Sequence, residues 1–331
     1  MRESPTLRLE NSILIAWQSD CYRASATART FEADLLLLPC IANNLICKPL
    51  SYIKCMIITL VHLVKRHPDY ILCVNLPVFL PLACHVYVII SGSKVIMDFH
   101  SGALTKRIWR LFLPYYKYLA RHSPFTICHN RSDNLIIQSW GGRTVLLMAL
   151  PKKEFPGVIY KPTQARPLFL FVCSFAPDEP VEMVIRAMKA CPEFDFIISG
   201  NFKKRNINPD SLPSNITLPG YMNYEDYIGV MAKATAVITL STRKHIMQMA
   251  IHEALTLGVP VITNESPTLR EVLGDGGIFI NLDCASLHEA INKAVLYHSD
   301  LMSAIRIAKI RAWDLADTEL KNIAKTIFPK E

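Results

Sequence analysis

Glycine and charge are thin in this chain, and acids are scarcest in its first half. Of 331 residues only 12 are Gly and 19% are charged, against 51% apolar. That balance excludes a disordered chain and a charge-dominated tail. The 21 Pro and 12 Gly fall without period, which excludes a collagen-like or low-complexity protein. None of the ten cysteines forms a Cys-x-x-Cys pair. Cys40, Cys47, Cys55, Cys73 and Cys84 sit among apolar residues, where a thiol behaves as a small hydrophobe. A reduced, cytoplasmic protein without a zinc site is the expectation. Neither Gly-x-Gly-x-x-Gly nor a Walker loop is present, and the stretch from Gln18 to Ser25 after the first apolar run has no glycine at all. Asp-x-Asp pairs, which hold a metal–diphosphate, are missing too; Glu193-Phe194-Asp195 comes nearest and merely opens a strand. Three common ways of holding phosphate are thereby excluded.

What is present is lopsided. Residues 1–165 carry 19 basic and 9 acidic side chains, a net of +10, while residues 166–331 carry 17 and 19. The first half is the one expected to meet an anionic partner. The N-terminus from Met1 to Asn11 is polar and charged, and the apolar run Ile13–Trp17 is short, so it does not read as a signal peptide. Ile71 to Ser93 has no Asp, Glu, Lys or Arg and is long enough to cross a bilayer. Asn75, Pro77, Pro81 and His85 interrupt it, so a buried strand, a Pro-marked loop and an apolar helix fit better.

Apolar runs suited to strands alternate with helical patterns almost throughout. The strand candidates are Ile13–Trp17, Leu35–Leu38, Tyr70–Val74, Lys94–Asp98, Phe125–Cys128 and Thr144–Leu147, then Phe169–Cys173, Asp195–Ser199, Ala236–Leu240, Val259–Thr263 and Ile278–Ile280. Helical patterns between the later ones include Val181–Ala190, Tyr224–Ala234, Met247–Leu257 and Ser286–His298. Such alternation predicts an α/β protein with parallel sheets covered on both faces. The Pro- and Lys-rich stretch Pro151–Pro167 marks the break. Two doubly wound, Rossmann-like domains facing a cleft are therefore expected, at residues 1–155 and 156–331, with the last helix crossing back. Ligands of such sheets bind at the carboxyl ends of the strands.

The motifs that carry chemistry lie mostly in the second half. Glu253-Ala254-Leu255 is followed by Gly258-Val259-Pro260-Val261, then by Leu269-Arg270-Glu271 and Gly274-Asp275-Gly276-Gly277. This run resembles the donor-site segment of the GT-B glycosyltransferases, especially glycosyltransferase family 4. Phe171 to Pro180 is similar to the loop that opens the second domain in bacterial polysaccharide-biosynthesis members. Trp17 with Arg23, Asn75-Leu76-Pro77, and Asp98-Phe99-His100-Ser101-Gly102 resemble stations of the first domain.

The resemblance implies a two-domain transferase with the nucleotide in the second domain. It assigns Glu253 to the nucleotide ribose, where a carboxylate accepts from two adjacent hydroxyls; an acid near a helix start, favoured by the dipole, is the bland alternative. Thr242, Arg243 and Lys244, with the amides of Ser241–His245, are candidates for the diphosphate, although a solvated basic loop has the same composition. Ser174 belongs to the same region. Lys203-Lys204-Arg205 could reach the diphosphate or form a solvated turn. Gly220 and Tyr221 are candidates for the base pocket, with core packing the alternative for Tyr221. The family places a Glu eight positions before Glu253 to face the transferred sugar; His245 stands there instead, and imidazole still donates to a sugar hydroxyl. In the first half, His100 is a candidate for the reacting centre and Asp98 for its orientation or for the base. Arg23 and Asn75 are candidates for acceptor or phosphate contact, Arg23 equally for an ordinary surface residue.

Lys106, Arg107, Arg110, Lys117 and Arg121 interleave with Trp109, Phe112, Tyr115, Tyr116 and Tyr118. This pattern fits an interfacial contact of residues 104–123 with the cytoplasmic face of a membrane, or a partly buried helix with a solvated basic face. No nucleic-acid motif accompanies it. The expected function is metal-independent, retaining transfer of a sugar from a nucleotide-sugar to a glycan or polyprenyl-linked acceptor, in cell-envelope or exopolysaccharide synthesis, with no cofactor. The rival readings are a non-catalytic nucleotide-binding subunit of the same fold and a nucleotide-sugar epimerase.

Overall fold

The computed structural model describes residues 6–18, 22–39, 48–148, 155, 158–162, 166–243 and 246–327. It divides into a first unit of Met1–Leu150 with Trp313–Glu331 and a second unit of Pro151–Ala312.

The first unit holds β1 (Ser12–Ala16), α1 (Tyr22–Thr30), β2 (Asp34–Leu37), α2 (Lys48–Arg66), β3 (Tyr70–Val74), α3 (Phe79–Ser91) and β4 (Lys94–Asp98). After these come α4 (Gly102–Thr105), α5 (Arg107–Arg110), α6 (Leu113–His122), β5 (Thr126–Cys128), α7 (Arg131–Ser139) and β6 (Thr144–Leu146). All strand pairs are parallel and the order is β2-β1-β3-β4-β5-β6. Ile71 to Ser93 is thus a strand, a loop and a helix, as its prolines predict. The central strand Ser-Ile-Leu-Ile-Ala is buried at every position because helices cover both faces. Leu14, Ile15, Leu72, Ile96 and Phe125 form the core, joined by Ala316, Leu320 and Ile323.

The second unit holds β7 (Leu168–Val172), α8 (Val181–Lys189), β8 (Asp195–Ser199), β9 (Ile216–Gly220), α9 (Tyr224–Met231), β10 (Ala236–Thr239) and α10 (Met249–Leu257). It continues with β11 (Val261–Asn264), α11 (Pro267–Leu273), β12 (Gly277–Ile280) and α12 (Cys284–Leu296). The order is β12-β11-β10-β7-β8-β9, again parallel. The last helix, α13 (His298–Ile327), belongs to the second unit up to Ala312 and to the first from Trp313. β9 has no counterpart in the sequence reading. It is an edge strand whose exposure alternates, and Thr217 and Pro219 break its apolar run.

Both sheets contain a point where the chain reverses its direction of strand addition. In the first unit it lies between β1 and β3, in the second between β7 and β10. The loops leaving those strands splay apart and form the crevice in which open α/β sheets bind ligands. Gly200, at the end of β8, makes the second crevice possible. Its φ is +107°, and a Cβ there would lie 2.0 Å from the Cys173 carbonyl oxygen. Only glycine lets that strand end approach the loop after β7.

Candidate functional site

In the first unit the polar residues gather at the carboxyl ends of β3, β4 and β5. Asp98 closes β4 with no exposed surface. Its Oδ1 accepts from His129 Nε2 at 2.5 Å, and His129 Nδ1 lies 3.0 Å from the Leu147 carbonyl oxygen. His129 therefore bridges the Asp98 carboxylate and the Leu147 carbonyl oxygen. Burial alone would raise the Asp98 carboxyl, but His129, bonded to it, and the neighbouring His100 hold it far below the usual carboxylate range.

His100 completes the group. Its amide donates to Asn75 Oδ1 at 2.9 Å, and its Nε2 stands 3.9 Å from Asp98 Oδ1 without a hydrogen-bond partner. Burial pushes the His100 imidazole below its ordinary value, and the nearby Arg23 guanidinium adds to that against the pull of Asp98. His100 is therefore neutral at pH 7, beside a carboxylate and a cation. Asn75 is fixed in turn, its carbonyl accepting from the buried Tyr116 hydroxyl at 2.9 Å. Ser101 Oγ donates to Asp133 at 2.5 Å, and Asn130 caps α7 through the Asp133 amide. Arg23, Asn75, Asp98 and His100, predicted from separate stretches, thus share one crevice. His129 did not emerge from the sequence, although it follows a short apolar run as His100 does.

In the second unit, the loop after β7 and the loop after β10 are tied across the reversal point. Asp178 accepts from Ser241 Oγ at 2.7 Å and from Arg243 Nη2 at 2.9 Å, while its carbonyl accepts the Thr242 amide at 2.8 Å. Glu179, buried, accepts from the Ser174 amide at 2.9 Å, the Ser174 hydroxyl at 3.1 Å and the Ala176 amide at 2.7 Å. Lys204 Nζ donates to the Ser174 carbonyl at 2.9 Å and Arg205 Nη2 to that of Ala176 at 2.8 Å. Lys204 and Arg205 are therefore bound to the β7 loop rather than standing in a free turn. Burial pushes the Cys173 thiol up to about 12, which removes it as a nucleophile.

Glu253 lies on α10 and is buried. Tyr227 donates to its Oε2 at 2.7 Å and Tyr224 to its Oε1 at 3.1 Å. Burial and the adjacent Glu253 charge raise the Tyr227 hydroxyl well above its usual value, so it stays a donor. Both carboxylate oxygens of Glu253 are thus engaged by hydroxyls of α9. Tyr224 and Tyr227 sit one helical turn apart on α9, a spacing that could have been read once Gly220 was taken as a strand end.

A cleft of about 520 Å³ opens at the ends of β10, β11 and β12. Ser241, Thr242, Arg243, Asn264 and Glu265 supply its polar wall, Ile280 and Leu282 its apolar one. Gly220 ends β9, at the far edge of the sheet, and Tyr221 is 90% exposed there; neither lines this cleft. Lys244 and His245 lie outside the described residues. Among the described residues no group of three or more His, Cys, Asp or Glu side chains is placed to hold a metal ion.

The comparisons with known proteins agree with this geometry. Residues 166–296 match the family model described as "Glycosyl transferases group 1". No curated protein sequence matches the chain. A sucrose-phosphate synthase from Thermosynechococcus elongatus superposes with a TM-score of 0.71 at 14% identity, covering 97% of this chain and 99% of its own. Anabaena HepE, in complex with UDP and glucose, gives 0.65 at 14% identity over 96% and 98%. The lipopolysaccharide outer core galactosyltransferase WaaB gives 0.63 at 14% identity over 97% and 99%. The chain thus has the GT-B glycosyltransferase fold, and the match to the group 1 model lies within its second unit.

Proposed function

We propose that this chain transfers a sugar, with retention and without a metal, from a nucleoside-diphosphate donor to a glycan or polyprenyl-linked acceptor in cell-envelope or exopolysaccharide synthesis. The observation that carries the reading is the second unit's reversal point. A buried carboxylate, Glu253, held by two tyrosine hydroxyls, stands at the same sheet end as the cleft and a pair of cross-tied loops. Glu253 would take the ribose hydroxyls. Thr242, Arg243, Lys244 and Ser174 would face the diphosphate, whose departing charge is stabilised by placed cations and amides. His245 would meet the transferred sugar. In the first unit Asp98 and His100 would serve the acceptor side, with Asn75 fixing the His100 backbone and Arg23 supplying positive charge. HepE in its complex binds UDP and glucose, which makes UDP-glucose the first donor to try.

Calorimetry with nucleoside diphosphates and their sugars tests binding, and a transfer assay with and without chelator tests turnover. Binding plus chelator-resistant transfer supports the reading, and transfer that requires added metal refutes its metal-free part. Binding without turnover on any acceptor would make the chain a nucleotide-binding subunit. Conversion of the donor sugar with no acceptor present would make it an epimerase.

A further inference from the structure

The solvent-facing surface of α2 and α3 is apolar in a way that the core does not require. On α2, Leu50, Ile53, Ile57, Val61 and Val64 follow helical spacing and are each about half exposed or more. The opposite face of the same helix, with Cys55, Thr59 and Leu63, is already buried. On α3, Leu82, Val86, Ile89 and Ile90 are exposed, Ile89 by 73% and Ile90 by 76%, while Leu80, Ala83, Cys84 and Tyr87 face the core. A helix apolar all round belongs in a core or against a nonaqueous phase. α2 and α3 pack against each other. The surface continues onto α6, where Tyr118 stacks on His85 of α3 at 5.4 Å, and onto α5, whose Trp109 meets Phe79 of α3 at 6.3 Å. Ile108 and Leu111 beside it are exposed as well. A contiguous exposed apolar area of this extent marks an interaction surface.

Its charge selects the partner. Between Leu35 and Ser132 the acids are Asp69 and the buried Asp98, against eleven Lys and Arg. Lys54 and Lys65 flank the α2 stripe, and Lys106, Arg107 and Arg110 surround Ile108 and Leu111. Lysines can lay their stems along an apolar surface while their charges reach outward. Protein interfaces instead deplete lysine and favour aromatic anchors, whereas this stripe is aliphatic. No described helix is long and apolar enough to cross a membrane, and α3, at 13 residues, spans about 20 Å. That geometry suits helices lying in the headgroup layer of an anionic bilayer.

We infer that the α2–α3–α5 face of the first unit docks on an anionic lipid bilayer, with Ile89, Ile90, Ile53 and Ile57 entering the acyl boundary and the surrounding lysines meeting lipid phosphates. This extends the basic-aromatic stretch 104–123 onto two helices whose sequence gave no such signal. The docking stands on this face alone; that it brings a lipid-borne acceptor to His100, which follows β4 just before α4, rests on the function proposed above.

The test is sedimentation of the full chain with vesicles of phosphatidylcholine alone and of phosphatidylcholine mixed with phosphatidylglycerol, without donor or acceptor. Binding to the mixed vesicles is expected, weakened by salt. Reversing Lys54→Glu and Lys65→Glu should lower it by about fivefold or more per residue. Ile89→Asp with Ile90→Asp should lower it by more than about tenfold, with the thermal midpoint and nucleotide binding kept. Absence of vesicle binding, or binding indifferent to the isoleucine pair, overturns the inference. So does a dimer in lipid-free solution that the isoleucine substitutions dissociate, because a second copy would then cover the face. Vesicle binding by a chain that binds no nucleotide sustains the docking and defeats the transfer reading instead.

Discussion

Replacing Glu253 by Ala separates the proposed ribose grip from every other role of that residue. A hydrogen bond to a charged acceptor contributes about 1.5–3 kcal/mol. Two ribose hydroxyls on one carboxylate therefore contribute about 3–6 kcal/mol, and at 1.4 kcal/mol per decade the Kd of a nucleoside diphosphate should rise at least a hundredfold. The substitution also strands the Tyr227 and Tyr224 hydroxyls, costing about 1–3 kcal/mol of stability if one stays buried without an acceptor. The deoxy analogue removes that ambiguity. In the parent protein a 2′-deoxynucleoside diphosphate should bind at least about tenfold more weakly than the ribonucleotide. In Glu253→Ala the two should bind alike. Calorimetry on the two proteins and two ligands closes the cycle. A deoxy penalty that persists unchanged in the variant, or a Kd within threefold of the parent, would refute the ribose assignment.

Gly200→Ala should cost at least about 3 kcal/mol, a Tm loss of roughly 6–12 °C, because the positive φ and the 2.0 Å approach to the Cys173 carbonyl act together. Gly229→Ala is its counterweight: nothing lies within 4 Å and the residue is inside α9, so stability should rise by about 0.5–1 kcal/mol. Asp98→Asn should cost about 1.5–3 kcal/mol in chemical denaturation by replacing the buried carboxylate bonded to His129 Nε2 with a neutral amide. For His100 the folded state resists protonation while the unfolded chain titrates near pH 6.5, so its contribution is full above that pH and is lost as the pH falls. Stability measured from pH 7 to pH 4 should fall less steeply in His100→Gln, Asp98 staying ionised in both; an unchanged slope would count against a buried neutral His100.

Much of the fold was legible because parallel strands are buried on both faces and announce themselves as unbroken apolar runs. Tyr70–Val74, Lys94–Asp98 and Asp195–Ser199 were readable to the residue. β9 was not, since an edge strand with one covered side carries Thr217 and Pro219 where a central strand would have Val or Ile. The polar residues of the first crevice were legible one by one, at strand ends. Their partners were not: His129, Tyr224, Tyr227 and Glu179 act through contacts 3 to 31 residues away along the chain. The charge count located the basic half but pointed to residues 104–123. The stretch that forms α3 read only as an apolar helix and that of α2 was not singled out; the packing shows which faces remain uncovered.

The clasp that Glu179 makes around Ser174 and Ala176 bears on how an anion would enter the second crevice. Two amides and a hydroxyl already point at one internal carboxylate, so the loop is held in its anion-receiving shape by an occupant that belongs to the chain. An incoming phosphate that uses those donors competes with a tethered rival, and its measured affinity reports the difference between the two. Glu179→Gln weakens the rival and leaves the donors in place, so taking negative charge away there should tighten binding.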